Sequence, residues 1–85
     1  MKQVQASQRE LAQINTLIAT ISRSVELLNC DIDAEEERAR VRDLSDPEYP
    51  VLARHLRTRR DNLGRTLAAL RARVQEQSYP DRVAG

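Results

Sequence analysis

The sequence contains no phenylalanine and no tryptophan, and has only one cysteine, one methionine, one histidine, two glycines and two tyrosines. Sheets draw on aromatic and β-branched side chains that fit a pleated surface, so this scarcity argues against a β fold. The lone Cys30 excludes an intramolecular disulfide and a multi-cysteine zinc site, and it suits a reducing compartment; the cytoplasm is the expected location. His55 has no second His or Cys at helical ligand spacing. Long apolar runs are missing as well. The stretch Leu17-Ile-Ala-Thr-Ile21 is too short to span a bilayer and no small-residue cleavage signal follows it, so neither an export segment nor a membrane segment is expected. With neither a Gly-rich phosphate loop nor an acid–base constellation, the expectation is a non-enzymatic protein, and no catalytic, cofactor-binding or metal-binding residue is assigned.

Charge of one sign is lacking too: 14 Lys and Arg stand against 13 Asp and Glu, a net charge of +1. No global field steers the chain toward nucleic acid or an anionic membrane. Locally the balance is uneven. Residues 1–44 carry six cations and eight anions, whereas residues 48–77 carry seven cations and three anions, as expected of two segments that pack on each other.

What the chain has in abundance is Leu, Ala, Arg, Glu and Gln, the residues of long helices. Every seventh residue from Val4 gives Val4, Leu11, Ile18, Val25, Ile32 and Ala39, a series labelled a. The intervening d series reads Ser7, Ile14, Ile21, Leu28, Glu35 and Arg42. Together they predict a heptad helix over about residues 2–44, roughly 60 Å long at ~1.5 Å per residue. A second helix over about residues 48–77 repeats the pattern, with Tyr49, Leu56, Leu63, Leu70 and Gln77 at d and Ala53, Arg60, Leu67 and Val74 at a. Tyr79-Pro80 ends it, because proline restricts the residue before it and cannot extend the helical ladder. Residues 78–85 are read as a tail.

Between the helices, at about residues 45–49, lies Leu44-Ser-Asp-Pro-Glu-Tyr-Pro-Val-Leu52. An antiparallel pair sets a layers against d layers. Ile21 with Val74, Val25 with Leu70, Leu28 with Leu67, Ile32 with Leu63, Glu35 with Arg60, Ala39 with Leu56 and Arg42 with Ala53 all share one midpoint, the Pro47–Glu48 bond. The stretch is therefore a hairpin tip rather than a linker, with Ser45 or Asp46 as the expected cap of the second helix. Glu35 and Arg60 are the expected polar layer within the seam, setting alignment more than stability. Glu36 and Arg57 are expected to flank the seam as an exposed and weak pair.

The fold class is thus all-α: an antiparallel two-helix coiled-coil hairpin, a single domain expected to associate into a four-helix bundle. One seam buries little surface, and short scaffolds need a further staple. The register leaves Val4, Leu11 and Ile14 unpartnered. With Leu17, Ile18 and Ile21 they form the expected protein interface. The partner is a second copy, a dimer first, or another helical protein, in the role of adaptor, small chaperone or assembly subunit. In the bland alternative residues 1–9, rich in Gln and Ser, fray and the tail residues Tyr79 and Val83 fold back over Ile14.

Three further features invite a functional reading. Asp31-Ile-Asp-Ala-Glu-Glu-Glu37 packs five carboxylates together, but a helix spreads them around its circumference, so the run is read as a solvated face and not a metal site. The Arg-rich second helix offers an alternative function, a nucleic-acid accessory protein contacting phosphates through Arg54, Arg57, Arg65 and Arg71. Those arginines are scattered over the heptad rather than striped, which makes this the lesser reading. Gly64, at an e position, suggests either close approach of another helix near Asn29 or a tolerated weak spot.

Overall fold

A computed structural model describes the backbone of residues 2–78 and the side chains of residues 8–76. Two helices, α1 (Lys2–Ala39) and α2 (Val51–Ser78), run antiparallel and pack along one seam, giving a rod of 58 × 22 × 14 Å. The chain is an all-α helical hairpin.

The seam follows the heptad. Leu11, Ile14, Ile18, Ile21, Val25, Leu28 and Glu35 of α1 are half-buried and Ile32 is buried. On α2 the same holds for Leu56, Arg60, Leu63, Leu70 and Val74, with Ala53 and Leu67 buried. Packing is densest near the tip, where Ile32, Tyr49 and Ala53 are almost fully enclosed. Fully burying a side chain the size of isoleucine stabilises by about 1.5–3 kcal/mol, and Ile32 is 2% exposed at this end of the seam. Toward the far end the positions are only half covered.

The ends of the helices differ from expectation. α1 stops at Ala39, short of residue 44, because Arg40 turns into the left-handed region with φ 59°. Two bonds lock that turn: the Arg40 amide donates to the Glu37 carbonyl at 3.2 Å, and the Val41 amide donates to the Glu36 carbonyl at 3.2 Å. This is a Schellman closure with arginine where glycine is usual. Consequently Ala39 and Arg42, two expected seam positions, are exposed.

Residues 40–50 then form the connection. The Asp43 carboxylate accepts from the Ser45 amide at 3.0 Å and hydroxyl at 2.7 Å, and Asp46 accepts from the Glu48 amide at 2.8 Å. Ser45 and Asp46 therefore shape the turn and do not cap α2. That helix resumes after Pro50, whose carbonyl accepts from the Arg54 amide at 3.2 Å. A proline just ahead of the first turn forfeits no helical bond, since the first amides lack intrahelical acceptors anyway.

Around Gly64 there is open space: an added Cβ would meet nothing within 4 Å. No neighbouring helix presses on it, which leaves the weak-spot reading. No described helix is long and apolar enough to cross a membrane.

Candidate functional site

Two surfaces stand out, a polar cluster at the tip and an apolar face on α1. The polar cluster grows from Glu36, at an e position one turn beyond Ile32. Its carboxylate is 3% exposed, although it is charged. The Tyr49 hydroxyl donates to Oε2 at 2.6 Å, and the Arg57 guanidinium donates to the same oxygen at 2.7 Å. Arg57 Nε also donates to the Tyr49 hydroxyl oxygen at 2.7 Å, closing a three-residue ring. Arg42 reaches Oε1 at 3.4 Å from the connection. The Tyr49 ring lies beneath Arg54, 5.2 Å from the ring centre, and Arg57, at 5.9 Å. Arg54 in turn donates to the Leu44 carbonyl at 2.9 Å, tying α2 to the connection.

Each member of this ring supports the charges of the others. The Tyr49 hydrogen bond, followed by that of Arg57, holds the Glu36 carboxyl below the ordinary glutamate range. Arg57 is held more firmly protonated by Glu36 and then by Tyr49. In the connection, the Ser45 amide lowers the Asp43 carboxyl. A buried carboxylate with its donors supplied is tolerable; stripped of one it becomes an uncompensated charge.

The expected polar layer is corrected by this geometry. Glu35 bonds to Arg38 on its own helix, while Arg60 bonds to Asp61 at 2.9 Å and to the Asn29 side chain at 3.0 Å. Among the described residues the interhelical ion pair is Glu36–Arg57, placed where a flanking pair was expected but buried on the glutamate side rather than exposed. The reason is Tyr49, whose ring and hydroxyl roof over the carboxylate. Its d position in the sequence marked it as apolar seam and gave no sign of a donor to a glutamate.

The arginines considered for phosphate are divided between uses. Arg54 and Arg57 are engaged in the tip cluster, and Arg65 bonds to Asn62. Arg71 is exposed, and so is His55. Arg57 is half-buried in the tip, while Arg54, though bonded to the Leu44 carbonyl, stays exposed. Within the acidic run Glu35 turns to Arg38, whereas Asp33, Glu36 and Glu37 converge on Arg42 at 3.9, 3.4 and 3.7 Å. Cys30 is a free, exposed thiol.

The apolar face belongs to α1. Counting equal rises away from the Glu36–Arg57 pair sets Ser78 opposite Asn15, so the residues before Asn15 run past the described end of α2. Leu11 and Ile14 lie in that arm and are half-buried. Leu17, 49% exposed, continues the face toward Ile18 and Ile21, and Leu27 is 59% exposed further along. The side chain of Val4 and the tail residues Tyr79 and Val83 lie outside the described residues. A shallow depression bounded by Ala19, Ser22, Arg23, Glu26 and Leu27 draws all its walls from one helix and encloses nothing. At the tip, Leu44, Val51 and Leu52 are also exposed. Compared with known proteins, the chain matches no family model, no curated protein and no solved structure.

Proposed function

We propose that this protein is a non-enzymatic helical hairpin that self-associates, first as a dimer, and acts by presenting a helical surface to another protein, as an adaptor, small chaperone or assembly subunit. The observation that carries this reading is the exposed apolar face of α1, in particular Leu17 at 49% exposure beside an arm that α2 does not reach. In a hairpin with so few enclosed apolar side chains, covering that face adds the second layer that small helical units need. The lone exposed thiol of Cys30 favours the cytoplasm as its compartment.

Light scattering on a sizing column with reductant present tests the reading. The wild-type chain is expected at twice the mass of one chain. Substituting glutamine for Leu11, Ile14 and Leu17 together should give a single-chain mass while circular dichroism retains the helix signal of α2. A triple variant of unchanged mass would overturn the proposal.

A further inference from the structure

We infer that Arg42 is a strap that keeps α1 short: it holds Arg40 in its left-handed turn, and on its release α1 runs on to Leu44 and reshapes the hairpin tip. The starting observation is the φ of 59° at Arg40. That conformation crowds Cβ against the carbonyl oxygen, so a residue other than glycine stays in it only where its surroundings impose it. The sequence itself asks for no stop here. Residues 40–44 read Arg-Val-Arg-Asp-Leu, with neither glycine nor proline before Pro47.

Nor do the backbone bonds impose it. In the turn the Arg40 amide donates to the Glu37 carbonyl and the Val41 amide to that of Glu36. Were the helix to continue, the same two amides would donate to the same two carbonyls in the other order, Arg40 to Glu36 and Val41 to Glu37. These bonds fasten the turn once it is made without favouring it over the helix. Among the described residues the Arg42, Asp43 and Leu44 amides have no backbone acceptor, whereas a longer helix would offer them the carbonyls of Arg38, Ala39 and Arg40. In exchange it would give up the bonds of the Ser45 amide and hydroxyl to Asp43, and that of Arg54 to the Leu44 carbonyl. The exchange is even in number and leaves the strain at Arg40 without a cause.

The cause is where the turn puts Arg42. Its guanidinium meets the Asp33, Glu36 and Glu37 carboxylates at 3.9, 3.4 and 3.7 Å. On a continuous helix Arg42 would stand nine residues past Asp33, about 13.5 Å along the axis and half a revolution around it. Glu36 and Glu37 would point away from it as well. These contacts exist only because the chain reverses at Arg40, and a longer helix cannot keep them. Each is weak singly, but three on one guanidinium act together, and salt screens those to the exposed Asp33 and Glu37. Pro47 bounds the extension, because the residue before a proline avoids helical geometry. Released, α1 gains Arg40–Leu44, about 7.5 Å of length, and carries Leu44 from the tip onto its flank. The seam from Glu36–Arg57 downward stays shut, so the surface of the tip changes without the hairpin opening.

Backbone NMR of the full chain tests the strap. The wild type at low salt should show non-helical Cα shifts at residues 40–44. Arg42→Gln should move the Cα resonances of residues 40–43 into the helical range and bring up Hα–amide contacts between residues three apart across 38–43, with residues 51–76 unchanged. Adding Arg40→Gly to that variant should restore the stop, because glycine takes the left-handed conformation without strain. Molar salt should shift the wild type in the direction of Arg42→Gln. An Arg42→Gln spectrum that keeps the wild-type pattern at 40–44 would overturn the inference. So would changes spread through residues 51–76, which would make Arg42 a support of the whole hairpin, or a double variant that stays helical.

Discussion

A glutamate at an e position ordinarily points into solvent, and Glu36 does not because Tyr49 and Arg57 close over it. Its depressed proton affinity has a definite sign for stability. The folded chain binds fewer protons at this site than the unfolded chain, so the contribution is fully present at neutral pH. It is lost as pH falls below the ordinary glutamate value of about 4.3 and through the depressed one. Asp43 acts in the same direction. The thermal midpoint followed by circular dichroism should therefore drop on acidification. Glu36→Gln should lower the midpoint at neutral pH and flatten the acid limb, leaving the part due to Asp43 and the other carboxylates. An acid limb as steep as that of the wild type would show that the ring of Glu36, Tyr49 and Arg57 does not hold the tip.

At the level of the helices, Gly64 is the place where α2 is weakest by its own propensity. Space for a Cβ is free, and an interior helical glycine disfavours the helix by about 1 kcal/mol relative to alanine. Gly64→Ala should raise stability by roughly that amount in urea titrations and leave the mass unchanged. A loss of stability would mean that something does approach this position after all. The seam itself was legible in the sequence, since a period of seven that persists across both prolines reads directly as two packed helices. The end of α1 was not legible. Glycine is the usual sign of a left-handed terminus, and here Arg40 adopts one under two backbone bonds, while Val41 and Arg42 continue the apolar and heptad pattern past the true stop. Glu35 and Arg60 were drawn into the seam by position alone. Long side chains reach sideways to Arg38, Asn29 and Asp61, and periodicity carries no information about that reach.

Across the molecule, the tightly packed tip and the loosely covered far end give the two extremes of the rod different histories. The bonds from Glu36 to Tyr49 and Arg57 span 13 and 21 residues of chain, whereas that from Arg60 to Asn29 spans 31. Loop-closure entropy makes the 31-residue contact costlier to start from than the 13-residue one by about 0.8 kcal/mol, and contacts nearer the chain ends costlier still. Folding is thus expected to begin at the tip and close like a zip toward the arm. In stopped-flow kinetics, Tyr49→Phe should slow refolding, while Val74→Ala should chiefly speed unfolding. The opposite pattern would place the nucleus at the far end. On this order of events the far end closes last, when the tip is already shut, so a second chain, under the proposed self-association, would meet a finished rod instead of a half-made one with which it could exchange helices.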